Sequence, residues 1–146
     1  MVEELSSERF RLEPLRVEDA REMVAVVGAS ETELRSRYAR QVAGVGRGWL
    51  NWVVRMDGVA VGTVQATLGD EVAELAWVVA PSHRRLGVAS ESTAAVMEWL
   101  RSRGVTRFVA HIDPANAASA AVARRVGMAA TDFVRDDGEV RWESRT

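Results

Sequence analysis

The 146-residue chain contains no cysteine and no lysine. The first absence excludes disulfides, cysteine-ligated zinc and thiol catalysis. The second makes all nineteen basic residues arginine and excludes a P-loop, whose chemistry needs a lysine on the phosphates. Histidine is nearly as scarce: His83 and His111 lie in different segments without a ligand partner close in sequence, so no metal is expected. No apolar run approaches the roughly twenty residues that span a bilayer, and Met1–Ser7 is too polar and acidic for a signal peptide. A cytoplasmic protein without a membrane partner is the expectation. The net charge of −2 gives no basis for general nucleic-acid binding, so no nucleic-acid partner is expected either.

What is present suits one small core. The length and the 47% hydrophobic content point to a single domain over residues 1–146, with no repeat or low-complexity tract. Arg9–Leu15 alternates as a strand with Phe10, Leu12 and Leu15 facing in. Val17–Val27 has helical spacing through Ala20, Met23, Val24 and Val27, and Gly28 ends it. Ser30-Glu31-Thr32-Glu33 is a capping-box signature that opens a second helix through Leu34, Tyr38 and Val42. Gly44–Gly48 reads as a flexible connection. Leu50–Met56, Asp57-Gly58 and Val59–Leu68 form a hairpin, and Val72–Val79 a further strand.

Between that strand and a long helical pattern over Val88–Arg103 stands Arg84-Arg85-Leu86-Gly87-Val88-Ala89. A strand that runs through a glycine loop into a helix presents free backbone N–H groups and the positive end of the helix dipole, a site suited to a phosphate. Gly87 lets an anion approach the backbone, and the arginines add charge-assisted hydrogen bonds. The alternative is an ordinary strand-to-helix turn with solvated arginines. A dinucleotide fingerprint, with its three glycines and distant acidic residue, is absent. Arg107–Ile112 follows as a strand, Asn116–Val126 as a helix, and Met128–Val134 with Glu139–Glu143 as a closing hairpin. The order β-α-α-β-β-β-α-β-α-β-β implies a mostly antiparallel α+β sheet with two parallel neighbours at its centre.

Arg-x-x-Gly-x-Ala after a strand resembles the acetyl-CoA loop of the GNAT superfamily of N-acetyltransferases. Ala73-Glu74-Leu75-Ala76-Trp77-Val78-Val79 resembles the strand that precedes that loop in the branch containing ribosomal-protein alanine acetyltransferases. Asn116-Ala117-Ala118-Ser119 with Arg124-Arg125-Val126-Gly127-Met128 resembles the same branch's Asn-x-x-Ser block. The resemblance spans essentially the whole chain. It implies the GNAT fold: a mixed, mostly antiparallel sheet with about four helices, its central parallel strands splayed around acetyl-CoA. The activity it implies is direct acetyl transfer to a primary amine, on a small molecule or a protein N-terminus.

On that resemblance acetyl-CoA, without a metal, is held by N–H groups from Leu86, Gly87, Val88, Ala89 and Ser90, supplemented by Arg84 and Arg85. A backbone N–H exposed by a bulge near Trp77, Val78 and Val79 would polarise the thioester carbonyl. The superfamily's usual tyrosine acid falls at Ala123, so Ser119 inherits that role, with Asn116 orienting the pantetheine or a water. Asn116 reads equally as a helix N-cap, and Ser119 as a small packing residue. Glu74 is the candidate base, being a carboxylate in an apolar strand; the other reading puts it on an exposed face paired with an arginine. His83 decorates the loop, and His111 either lines the cleft end of its strand or is a core imidazole. Gly28-Ala29-Ser30 is a short link between the first two helices, which suggests an open acceptor site or one completed by a second subunit in a homodimer. Tyr38, Trp49, Asn51 and Trp52 are its candidate lining, each equally a core residue. Ala123 supports a second reading, a non-catalytic acyl-CoA-binding sensor or assembly domain; a third is an α+β domain that only looks similar and binds another phosphate ligand.

Overall fold

The computed structural model describes residues 2–144; the outermost positions of the expected 1–146 unit lie outside the described residues. Eight strands form one sheet: β1 (Leu5–Ser6), β2 (Arg11–Pro14), β3 (Trp49–Met56), β4 (Val59–Leu68), β5 (Val72–Val79), β6 (Arg107–Ile112), β7 (Met128–Val134) and β8 (Val140–Ser144). Their spatial order is β1-β2-β3-β4-β5-β6-β8-β7, so the last hairpin inserts its second strand beside β6. Among the described residues only β5 and β6 pair in parallel, joined by α3 (Val88–Ser102). The other helices are α1 (Ala20–Val27), α2 (Glu31–Ala43) and α4 (Ala117–Arg125). This is the α+β, mostly antiparallel arrangement expected from the sequence. No helix among the described residues is long and apolar enough to cross a membrane.

Alternation along the strands feeds two apolar layers, one on each sheet face. Phe10, Leu12, Trp52, Val54, Val64 and Leu75 point to the layer that takes Val96, Met97 and Leu100 of α3 and Ala123 of α4. Val53 and Ala60 point to the other, with Ala20, Met23 and Val26 of α1 and Leu34 and Tyr38 of α2. Leu15, three residues beyond Leu12, packs on this second layer and not beside Phe10 and Leu12. The α1 stripe also differs from expectation, since it runs Ala20–Met23–Val26 and leaves Val24 exposed.

Local chemistry explains the boundaries. Ser30 Oγ accepts the Glu33 N–H at 3.1 Å and starts α2, and Gly28 closes α1 in the left-handed conformation with φ 85°. Asp57 and Gly58, with φ 52° and 82°, make the tight turn between β3 and β4. Gly44–Arg47 is not a flexible connection. It is a 3-10 turn lying against the Trp49 ring, so close that a Cβ on Gly44 would fall 2.1 Å from a ring carbon. The first strand is shorter than expected and is preceded by β1, which pairs Leu5 with Leu12. The expected helices over Val17–Val27 and Val88–Arg103 begin with a 3-10 turn at Val17–Asp19 and end at Ser102 respectively.

Two ionic clusters hold chain segments that are distant in sequence. Arg55, with only 12% of its side chain exposed, reaches Glu22 at 2.8 Å and Glu13 at 2.6 Å. Those carboxylates, Glu22 foremost, keep its guanidinium more firmly protonated than usual. Glu91, in the first turn of α3, accepts hydrogen bonds from the Ser7 hydroxyl (2.6 Å), the Arg9 N–H (2.8 Å) and Arg9 Nε (2.7 Å). Burial pushes the Glu91 carboxyl up, but these donors together hold it below the usual carboxylate range. A depressed folded-state value contributes stability above the unfolded carboxylate's range, and that contribution is lost as pH falls through the folded value.

Two expectations follow for purified variants. A Cβ on Gly62 would meet the Val78 carbonyl oxygen at 2.6 Å, backbone against backbone. Gly62→Ala should therefore cost about 1–3 kcal/mol in chemical denaturation, whereas Gly46→Ala, with open space around it, should stay within about 0.5 kcal/mol. Glu91→Gln should lower stability by about 1–2 kcal/mol at pH 7. That gap should close on acidification; an unchanged gap in acid would contradict the Glu91 anchor.

Candidate functional site

The site is where two parallel strands stop touching. The β5–β6 ladder pairs Val72 with Arg107, Ala73 with Phe108 and Glu74 with Val109, and then ends. Beyond Glu74 the strands diverge, leaving a cavity of about 160 Å³ bordered by Trp77, His111, Asp113, Asn116, Ser119 and Glu139. On its other side β5 stays paired with β4 without interruption from Ala73 to Val79. The bulge expected near Trp77–Val79 is therefore not there; among the described strands, register shifts fall between Val54 and Arg55 in the β3–β4 ladder and between Ala130 and Val134 in the β7–β8 ladder.

A regular β5 exposes N–H groups by another route. Gly69 N–H donates to the Val72 carbonyl at 2.7 Å, and Ala80 N–H donates to the Val61 carbonyl at 2.8 Å. Val72 and Ala80 thus both turn their polar backbone towards β4. Alternation along the unbroken ladder turns the N–H groups of Trp77 and Val79 the opposite way, towards the gap left by β6. The Val78 side chain is exposed on the open sheet face, and Trp77 and Val79 pack their side chains on the main core.

At the upper end of the gap Pro81–His83 forms a 3-10 turn, and Arg84–Gly87 lead into α3. Arg85 and Gly87 both adopt left-handed φ, 65° and 79°. For an arginine this is a strained conformation, of the kind found where a loop serves a ligand. Gly87 caps α3 with no side-chain hydrogen bond, and the first helical bond runs from Glu91 N–H to the Gly87 carbonyl. The N–H groups of Val88, Ala89 and Ser90 accordingly have no intrahelical acceptor. Val88 and Ala89 side chains are buried beneath them, and the buried Ser90 Oγ has no partner. Leu86 is half exposed, and Arg84 and Arg85 are exposed and form no ion pair among the described residues. The His83 imidazole contacts its neighbour, with Nδ1 2.7 Å from Ser82 Oγ.

At the lower end, Asn116 is the N-cap of α4, its Oδ1 accepting the Ser119 N–H at 3.0 Å, and it also borders the cavity. Capping and a position at the site coexist. Ser119 is half buried at the cavity wall, while Ala123, one turn on, is fully buried in the main core. Glu74 does not border the cavity. It stands 46% exposed on the open sheet face, with Oε2 3.1 Å from His111 Nδ1 and 3.9 Å from Arg135 Nη1. His111, which Glu74 contacts, does border the cavity.

The aromatic candidates disperse. Trp52 is fully buried, donates its indole N–H to the Glu3 carbonyl at 2.7 Å and stacks edge-on to Trp99 at 5.7 Å, on the α3 side of the sheet. Alternation along β3 takes it to the core, so it is not an acceptor-lining residue. Tyr38 is buried beneath α1 and α2 with an unpartnered hydroxyl, and burial pushes its pKa up. Trp49 and Asn51 border a separate, largely apolar cavity of about 220 Å³ with Gln41 and Val42. The sequence reading gave little weight to His111 and none to Glu139 as a wall residue. Only the β5–β6 register could have raised them, because it sets His111 two residues beyond the partner of Glu74.

The sequence model of the acetyltransferase (GNAT) domain matches residues 9–129. No curated protein matches the chain. Among solved structures, RimL, a ribosomal L7/L12 alpha-N-protein acetyltransferase in complex with coenzyme A, superposes with TM-score 0.84 at 18% identity, over 97% of either chain. Mycobacterium smegmatis RimJ in complex with CoA-disulfide gives 0.81 at 20% identity, over 97% of this chain and 86% of its own. The microcin C7 self-immunity acetyltransferase MccE, in complex with acetyl-CoA and AMP, gives 0.81 at 13% identity, over 94% and 92%. At these identities the structures establish a shared fold, and the domain match, covering most of the sequence, establishes more. The chain belongs to the GNAT acetyltransferase family.

Proposed function

We propose that the protein is an acetyl-CoA-dependent N-acetyltransferase that transfers the acetyl group directly to a primary amine. The observation that carries this reading is the gap itself: β5 and β6 part after Glu74, Ser119 of α4 borders the cavity between them, and β5 leads on through the Arg84–Gly87 loop to the uncapped N-terminus of α3. Its two ends suit the two ends of the co-substrate. Free N–H groups of Val88, Ala89 and Ser90, the unpartnered Ser90 hydroxyl, and Arg84 and Arg85 fit a pyrophosphate. The space between β5 and β6 fits a narrow pantetheine arm. Bound there, acetyl-CoA would supply an activated acetyl thioester.

The chain's own groups account for the remaining chemistry. Trp77 and Val79 N–H groups face the gap and are suited to stabilise negative charge on a carbonyl oxygen between the strands. Carboxylates of Asp113 and Glu139 at the cavity, with Glu74 beside it, favour the approach of a cationic ammonium. One proton leaves that ammonium towards the Glu74 side, freeing the lone pair that forms the new C–N bond. As the C–S bond breaks, the Ser119 hydroxyl gives its proton to the departing thiolate and takes the remaining surplus proton from nitrogen. RimL, an alpha-N-protein acetyltransferase, makes a protein N-terminus one acceptor to be compared with small-molecule amines.

Calorimetric titration tests the cofactor assignment. Coenzyme A and acetyl-CoA should bind with Kd on the order of micromolar, and ATP much more weakly. Gly87→Val, which forces a β-branched residue to φ +79° and against Arg9, should weaken that binding at least about tenfold. Ser119→Ala should retain the affinity and lower kcat by about 10²-fold or more. Unchanged turnover in Ser119→Ala would remove the serine from the mechanism, and coenzyme A binding without turnover on any amine would favour an acyl-CoA sensor.

A further inference from the structure

One side chain joins Glu74 to the cleft. The Glu74 carboxylate lies outside the cavity, and the His111 imidazole, only 10% exposed, lies between it and the space where the reacting groups meet. An ionised carboxylate can only accept, so the 3.1 Å contact with Glu74 Oε2 places the proton of a neutral His111 on Nδ1. Nε2 then keeps its lone pair, and no described residue hydrogen-bonds it. A carboxylate that orients an imidazole in this way sets both its tautomer and the direction of its free nitrogen.

The surroundings separate this ring from the other bases. Asp113 is engaged at its own turn, with Oδ1 accepting the Ala115 N–H at 2.8 Å. Glu139 is 3.8 Å from Arg135 Nη2, and the same guanidinium bonds Asp137 at 2.9 Å. Arg141 stands opposite His111 in the β6–β8 ladder and pairs with Glu143 at 2.8 Å. The groups facing His111 are therefore Glu74 from β5, Arg135 and Glu139 from the β7–β8 turn, Arg141 from β8, and Asp113 from the end of β6. Both adjacent arginines are matched by carboxylates, which leaves the lone pair of His111 Nε2 as the unengaged acceptor at the cavity.

We propose that His111 is the general base of the reaction and that Glu74 is its positioning residue. The proposal rests on the acetyltransferase reading. His111 Nε2 takes one proton from the substrate ammonium and becomes imidazolium, with its charge balanced by Glu74. The freed nitrogen lone pair attacks the acetyl carbon, the C–S bond breaks, and the second proton reaches the thiolate sulfur through Ser119. Imidazolium returns its proton to solvent after the amide and thiol leave.

Three readouts test this. Nitrogen-15 NMR of the imidazoles is simple because the chain has two histidines, and His111→Gln identifies the signals. Neutral His111 should carry its proton on Nδ1 in the wild type, and Glu74→Ala should scramble that tautomer. With acetyl-CoA and a short peptide bearing a free N-terminal serine as probe acceptor, His111→Gln should lower kcat by about 10²- to 10⁴-fold. It should also remove the acid-side limb of the pH profile, while calorimetry shows coenzyme A affinity within about twofold of wild type. Glu74→Gln, whose amide oxygen still accepts from Nδ1, should retain the tautomer and more activity than Glu74→Ala. A proton on Nε2 in the wild type, or full turnover in His111→Gln, would overturn the assignment and leave the acetyltransferase reading standing. Failure of the wild type to bind coenzyme A would overturn both.

Discussion

The parallel ladder between β5 and β6 lasts for three residue pairs, and the site depends on where it stops. A continuous ladder would bury the backbone groups of Trp77 and Val79 in strand hydrogen bonds and leave no space between the strands. Because β5 is held firmly by β4 along its other edge, the divergence does not cost the sheet its integrity. The close approach of Gly62 to the Val78 carbonyl keeps β4 against β5 over the segment that β6 has left. One edge of β5 is thus structural and the other is available for chemistry, a division that strand alternation makes possible without a bulge.

The helix that follows β5 leaves its N-terminus uncapped and is still fixed in place. Three donors from the N-terminal segment converge on Glu91, one turn inside α3, and tie the loop to the far side of the sheet order. The first N–H groups of α3 are left free while the turn beneath them is anchored. Strain at Arg85 and the positive φ of Gly87 belong to the same arrangement, since the loop bends sharply before the helix begins. A rigid floor under an uncapped helix end suits an anion that must be bound without reorganising the protein.

Much of the architecture was legible because periodicity carries it. The hairpin at Asp57-Gly58, the Ser30 cap and the α4 cap at Asn116 rest on contacts within a few residues, and the Val72–Val79 and Arg107–Ile112 strands show as short apolar runs bounded by turn residues. Elements whose form depends on a distant partner were not legible. Gly44–Arg47 looks like a loose linker until the Trp49 ring is packed on it, and β1 exists only because β2 offers an edge. Val24 and Val26 have the same side chain, and only the docking of α1 on β4, β5 and α2 selects which one is buried.

The site divides along the same line. The sequence by itself determined the glycine loop before a long helix, the Asn-x-x-Ser start of α4 and the family resemblance, since each lies in one short stretch. It also determined the absence of a tyrosine at Ala123. Tertiary structure alone decided that β5 exposes its N–H groups without a bulge, that Trp52 belongs to the core, and that Glu74 meets the cleft through His111. Those facts depend on strand register, which for the Glu74–His111 contact arises from β5–β6 pairings between residues 35 positions apart. A one-residue slip would send every one of those side chains to the opposite face.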